Sequence, residues 1–187
     1  MEVEPIRNEE KISEMKEYLG QKGECYELLF VMGINTALRI GDLLSLSIGD
    51  VTDSTGKVLE AIYLKEQKTG KQNRLPINES LKNALTGYLV EHPNCKRSAP
   101  LFSTQQSGSL SRSQAWRVLK SAGEAIGLQN IGTHSLRKTF GYHVYKNSGG
   151  DIGLLQKLLN HSSTENTLRY IGIDREAMDN TFLKLNL

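Results

Sequence analysis

The order of apolar and polar positions along the chain changes period several times, and the changes divide it into elements. Early on, Ile12, Met15, Tyr18 and Leu19 recur at helical spacing. Asn8 stands where an N-cap belongs, Glu9 and Glu10 suit the positive start of a helix, and Gly20 reads as its stop. From Tyr26 to Met32 the run YELLFVM is apolar almost all round, which is the pattern of a buried helix. TALRIGDLLSLSIGDV then reads as a turn, a short helix and a return to extended chain. Val58–Leu64 (VLEAIYL) and Asn73–Ile77 (NRLPI) read as two strands, joined by the polar, glycine-containing tip KEQKTGKQ.

Asn78 caps a further helix that carries Leu81, Ala84, Leu85, Tyr88 and Leu89 and stops before Pro93. Residues 92–110 are rich in Ser, Pro and Gly and read as a loop. Ser111 and Gln114 form a capping box, opening a helix that turns Trp116, Leu119 and Ala122 inward. THSLRKTF starts the next helix, with Thr133 or Ser135 as its cap and Leu136, Phe140 and Val144 as its apolar stripe. NSGG breaks the chain, Asp151 caps IGLLQKLLN, and HSSTENTLRY reads as a short polar stretch. Asp174 caps a last amphipathic segment with Ala177, Met178, Phe182 and Leu183. The fold class that emerges is mainly α with a small antiparallel β-sheet, an α+β arrangement. It lacks the strand–helix alternation of nucleotide-binding parallel sheets. At 187 residues the chain is long enough for one domain with a proper core, and residues 1–187 are read as that single domain.

Composition narrows the partners only slightly. A net charge of +2 neither demands nor excludes nucleic acid, so any DNA-binding surface must come from where the charges sit. Cys25 and Cys95 have no metal-ligand spacing and suggest no disulfide framework, so reduced thiols and a cytoplasmic location are expected. The N-terminal MEVEPIRNEEK is charged and lacks the apolar core of a signal peptide, and no apolar run is long enough to span a bilayer. No membrane partner is expected.

Several common chemistries are disfavoured at once. The chain contains no phosphate-binding glycine loop followed by Lys-Ser/Thr, no GxSxG and no HExxH. His92, His134, His143 and His161 lack clustered carboxylates, which speaks against a metal site. The start of THSLRKTF is more informative. His134 and Arg137 lie at i and i+3, so they share one side of the helix. With Lys138 they put positive charge at the end of a helix that is already positive. A bound anion removes that conflict, and phosphate is the usual one at such a place.

The motifs TALRIGDLLSL, KTGK on a hairpin, HSLRKTFG and LLNHSSTENTLRY, in this order, resemble the catalytic domain of tyrosine recombinases, the phage integrase family. The resemblance covers nearly the whole chain. It implies a compact, mainly helical domain with a small antiparallel sheet, and a residue set for breaking and rejoining DNA strands. Arg39 and Arg137 match the two arginines that hold the scissile phosphate. Lys68 matches the hairpin lysine, His134 the histidine of H-x-x-R, His161 the later histidine and Tyr170 the nucleophile. Three neighbours depart from the family pattern. Ala37 stands where a glycine is common, Gly41-Asp42 where Ser-Glu is frequent, and Asn160 where a glycine usually precedes the histidine.

Phosphoryl transfer spreads negative charge over phosphate oxygens, and fixed donors are the main means of stabilising it. Two guanidiniums can each offer a planar fork, which lysine cannot. A phenol with a pKa near ~10 needs a proton acceptor or a strongly positive site, and His134 can be that base. His161 then donates to the phosphate, and Lys68 delivers a proton to the departing 5′-oxygen. The covalent 3′-phosphotyrosine stores the bond energy, so neither metal, ATP nor another cofactor is required. Implied partners are double-stranded DNA, further copies of the chain assembled on it, and a separate DNA-binding or accessory protein. Relatives commonly carry an N-terminal domain that clasps DNA from the other side, and none is recognised here.

Taken singly, each residue has an ordinary reading. Arg39 can pair with Asp42, Lys68 can be a solvated turn lysine, His161 a helix C-cap and Tyr170 a half-buried core tyrosine. The alternative functions are a non-cutting integrase-like partner of a full-length recombinase, and a nicking-closing topoisomerase.

Overall fold

The computed structural model describes residues 3–65, 70, 72–104, 108–173 and 182–184. Helix α1 (Glu9–Lys22) starts as its sequence dictates, with the Asn8 side chain accepting from the amides of Glu10 and Lys11. It does not stop at Gly20. It runs on to Gly23, whose φ of 146° supplies the break that only a glycine makes freely. Gly20 stays helical because a glycine there costs only about 1 kcal/mol relative to alanine, and because a Cβ would stand 2.7 Å from Glu27 Oε2.

Helix α2 (Glu24–Thr36) extends beyond the apolar run at both ends, and Leu28, Leu29, Phe30, Val31 and Met32 are all buried. It is the central helix. Leu28, Leu29, Val31 and Met32 join one apolar cluster while Phe30 joins a second, built with Ile6, Met15, Leu19, Leu119 and Leu136. A short α3 (Ile40–Leu44) follows. Residues expected to return to extended chain form another helical turn, α4 (Ile48–Val51). The cause is a capping box: the Ser47 amide donates to Asp50 Oδ2 at 2.8 Å.

Strands β1 (Ala61–Lys65) and β2 (Gln72–Pro76) pair antiparallel, with Ala61 opposite Pro76 and Lys65 opposite Gln72. Val58, expected at the start of the first strand, bridges to Thr52 instead. Helix α5 (Glu79–Glu91) is capped by Asn78 as expected. The Ser/Pro/Gly-rich loop contains a small β3 (Ser103–Thr104) and β4 (Gly108–Ser109) pair, flanked by buried Leu101, Phe102 and Leu110.

Helix α6 (Arg112–Ala125) opens with the Ser111–Gln114 capping box. Leu119 and Ala122 face inward, but Trp116 is 44% exposed, contrary to expectation. The inner line of α6 runs through Ala115, Leu119 and Ala122, and one residue of helix turns Trp116 away by about 100°. Lys120 covers its ring, with Nζ 5.1 Å from the centroid.

Helix α7 (Thr133–Asn147) is capped by Gly132, not by Thr133 or Ser135. Ser135 instead reaches back, its Oγ accepting from the Gly132 amide at 3.1 Å. Helix α8 (Ile152–Leu158) is capped by Asp151. The polar stretch after it is mostly a helix, α9 (Thr164–Ile171), capped by Ser163 and closed by Gly172 at a φ of 75°. Its inner side is Thr167 and Ile171, a pair at i and i+4 that a search for apolar residues alone undercounts.

Two close approaches set α7 in place. A Cβ at Gly33 would stand 2.8 Å from the Leu136 Cβ, so α2 and α7 touch backbone to side chain there. A Cβ at Gly141 would stand 2.7 Å from Ile171 Cγ2, so α9 packs on α7 through the same device. Leu155, Leu159 and Ile171 form a third apolar cluster with Ala37, packed against Tyr170 and Phe140. The architecture is therefore mainly helical with small antiparallel sheets. The cap expected at Asp174 lies outside the described residues. Beyond it, Phe182 and Leu183 are 76% and 82% exposed. Among the described residues no helix is long and apolar enough to cross a membrane.

Candidate active site

Arg39 is the residue just before α3, His134 and Arg137 sit in the first turns of α7, His161 follows α8, and Tyr170 is near the end of α9. They converge. A cavity of about 430 Å³ is lined by Arg39, His134, Arg137, Asn160, His161, Ser162, Asn166 and Tyr170. Lys68 falls in the hairpin tip, outside the described residues.

Arg137 is buried, only 5% exposed, and its position explains how these segments are held together. Its Nη1 donates to the carbonyl of Ala37, and its Nη2 to the carbonyl of Leu159 at 2.5 Å. Both acceptors lie at left-handed turns: Ala37 has a φ of 56°, and Asn160, just after Leu159, a φ of 50°. One turn leads into Arg39 and the other into His161. The guanidinium thus ties the two flanking cationic segments to α7 while lining the cavity itself.

The Tyr170 ring packs with this third cluster. The His161 ring meets it edge-on, centroids 5.0 Å apart at 83°, and Lys138 Nζ lies 5.3 Å from its centroid. The Tyr170 hydroxyl is covered and has no hydrogen-bond partner among the described residues. Burial pushes its pKa above the ordinary phenol value. The charges of Arg137 and Arg39 oppose that rise, and Arg137 adds a contact that falls short of full hydrogen-bond geometry. The same charges act oppositely on the imidazoles. Burial, then Arg137, Lys138 and Arg39, lower the pKa of His134; burial, Arg137 and Arg39 lower that of His161. Both histidines are therefore biased to the neutral form, able to accept a proton.

His161 has a fixed partner. Its Nδ1 is 3.2 Å from the Thr167 hydroxyl, which itself lies 2.8 Å from the Ser163 carbonyl. Thr167 and Lys138 are both buried; the sequence-based assignments include Lys138 only as part of the positive start of α7, and Thr167 not at all. The signal for Thr167 was its place three residues before Tyr170, on the neighbouring side of the same helix. Among the described residues, no three His, Cys, Asp or Glu side chains cluster as a metal site. The lining donors are cationic or neutral hydrogen-bonding groups, an arrangement suited to an anion with several oxygens.

The chain matches the Phage integrase family over residues 7–176. It is 45% identical over 176 residues to a probable integrase/recombinase, YoeC, of Bacillus subtilis, covering 94% of this chain and 92% of that protein. It is 33% identical over 156 residues to tyrosine recombinase XerD of Corynebacterium glutamicum. That match covers 81% of this chain and 48% of XerD, so the chain spans about half the length of such relatives. In fold it is similar to XerA recombinase, with a TM-score of 0.74, 23% identity, and coverage of 99% of this chain and 65% of the other. The lambda integrase catalytic core gives a TM-score of 0.64 at 18% identity, covering 85% of this chain and 91% of the other.

Proposed function

The chain belongs to the phage integrase family, and from that premise we propose that it is a site-specific DNA recombinase working through Tyr170. The observation that carries the proposal is the convergence of Arg39, His134, Arg137, His161 and Tyr170 on one cavity, from separate parts of the chain. Arg39 and Arg137 hold the scissile phosphate and balance the charge that grows on its oxygens. Tyr170 Oη attacks phosphorus, forming a 3′-phosphotyrosine bond as the bond to the 5′-oxygen breaks. His134, biased to its neutral form, takes the phenolic proton. His161 binds a phosphate oxygen, and Lys68 delivers a proton to the departing 5′-oxygen. Reversal of these steps, with a new 5′-hydroxyl as attacker, rejoins the strands.

The burial that raises the Tyr170 pKa makes both the base and the arginine charges necessary. No step calls for a metal, so cleavage is expected to continue in excess chelator. Double-stranded DNA is the substrate. Assembly of several copies on it accords with the DNA-bound dimer and tetramer of lambda integrase, whose catalytic region shares this fold. Five of the six proposed strand-transfer residues line the cavity, and a non-cutting partner would be free to lose them.

The test is covalent capture on nicked suicide substrates that carry candidate recombination sites. Wild-type protein is expected to form an adduct and Tyr170→Phe none. The variant loses only a buried hydroxyl that makes no full hydrogen bond, so its stability is expected to stay within about 1 kcal/mol of wild type or rise. An adduct that survives in Tyr170→Phe overturns the assignment.

A further inference from the structure

We infer that Thr167 is a positioning residue for the reaction: its hydroxyl fixes His161 in the Nδ1–H tautomer and so reserves Nε2 for the scissile phosphate. The inference rests on the proposed role of His161 and adds a residue to it.

A threonine hydroxyl has one hydrogen to give. Here the closer acceptor is the Ser163 carbonyl, 2.8 Å away, one helical turn back. With that hydrogen spent, Thr167 can only accept from the neighbouring ring, whose Nδ1 is 3.2 Å away. The proton therefore sits on Nδ1. Thr167 is fully buried, so no water competes for its lone pairs, and its helix holds it in place. The His161 backbone is held as well: its amide donates to the Gln156 carbonyl at 3.0 Å, and Gln156 Nε2 donates to its carbonyl at 3.2 Å. Ring and main chain are both set before any ligand arrives.

The consequence concerns Nε2, the ring nitrogen left for a ligand in the cavity. In the neutral Nδ1–H form it is a bare acceptor, and a phosphate oxygen needs a donor. Arg39 and Arg137 line the cavity beside it and discourage a second proton; His134 on α7 and Tyr170 on α9 are the other titratable groups that line it, and Lys138 lies over the Tyr170 ring. An arriving phosphate reverses that balance: Nε2 takes up a proton from solvent, and the resulting imidazolium donates a hydrogen bond to the phosphate oxygen. The opposite tautomer would leave Nδ1 bare against a hydroxyl already committed elsewhere, and His161 would lose its fixed orientation. Metal-binding histidines are set by the same kind of partner on the second nitrogen.

The decisive pair is Thr167→Val, which keeps shape and apolar contacts but removes the oxygen, and Thr167→Ser, which restores it. The Ser163 carbonyl keeps the Thr167 amide as a donor in both variants, at 3.3 Å in the native chain. Nitrogen-detected NMR of labelled histidine in the free protein reads the tautomer and the titration of His161 directly. Wild type and Thr167→Ser are expected to show Nδ1–H, and Thr167→Val a mixture with Nε2–H and an altered titration midpoint. In the suicide-substrate assay, Thr167→Val is expected to form adduct on the order of 10- to 100-fold more slowly, with unchanged DNA affinity and rescue in Thr167→Ser. An Nε2–H tautomer in wild type, or a tautomer unmoved in Thr167→Val, overturns the inference. Failure of wild type to form any adduct would refute the proposed recombinase reaction, while the NMR arm still decides what Thr167 does.

Discussion

Arg137 Nη2 reaches the Leu159 carbonyl at 2.5 Å, across 22 residues of chain, and Nη1 of the same group reaches the Ala37 carbonyl. A residue proposed as a phosphate ligand is thus also a structural tie. Its removal has two separable effects. Arg137→Ala is expected to abolish adduct formation and to lower stability by about 2–4 kcal/mol, because two buried carbonyls lose a charged donor. Arg137→Lys also loses cleavage, since an ammonium cannot fork, but keeps part of the stability through one carbonyl contact. Urea denaturation beside the capture assay checks both. A fully stable Arg137→Ala would mean that the tie carries no load.

The imidazoles give a pH signature. His134 and His161 both have folded pKa values below the ordinary value, from burial first and cationic neighbours second. As pH falls through about 6.5 the unfolded chain binds protons that the folded chain resists, so folding stability declines. The loss is complete once pH passes below the folded values. Asp53 and Glu165, whose folded values are also lowered, lose their contributions only in the more acidic carboxylate range. Denaturation midpoints are expected to be lower at pH 5 than at pH 7, and His134→Gln with His161→Gln to flatten that difference. An unchanged slope in the double variant would place the effect elsewhere.

Much of this was legible in the sequence, and the gaps have identifiable causes. Caps at Asn8, Asn78, Ser111 and Asp151 are local hydrogen-bond chemistry, so they read directly from residue types. Trp116 turns out where an inward position is expected because period alone does not say which of two adjacent apolar positions, Ala115 or Trp116, points inward. Helix α9 looks like polar chain in the sequence because one of its two inner positions is a threonine. The convergence of five cavity residues is implied by resemblance, whereas the roles of Ala37 and Leu159 as acceptors for Arg137 are not, since backbone carbonyls leave no trace in sequence. Two departures from the family pattern make sense only in three dimensions. Ala37 and Asn160 both occupy positive-φ turns, where glycine is the unstrained residue and asparagine a tolerated one.

The proposed acid has a chemical test of its own. A 5′-alkoxide leaves only with a proton, whereas a 5′-thiolate leaves without one because its conjugate acid is far stronger. Lys68→Ala is therefore expected to cut a normal substrate at least 10²-fold more slowly and a 5′-bridging phosphorothiolate at close to the wild-type rate. Equal defects on both substrates would assign Lys68 to DNA binding instead.

The last prediction concerns Phe182 and Leu183, which stand 76% and 82% exposed a short distance beyond Tyr170. Adjacent large apolar side chains at that exposure do not complete the core of their own domain, yet leaving both in water is costly. The segment is tied to the nucleophile through the chain itself, so whatever covers it also restricts Tyr170. On the proposed reading that cover is another copy of the protein assembled on the same DNA, a contact that makes cleavage depend on assembly. Phe182→Ser with Leu183→Ser is expected to leave monomer stability within about 0.5 kcal/mol of wild type. Cooperative binding to a two-site DNA is expected to disappear, and cleavage of that substrate to fall with it. Removing residues from Asp174 onward gives the same split between an intact fold and lost assembly. If either change unfolds the free monomer, the tail belongs to its own core, and exchange between copies is ruled out.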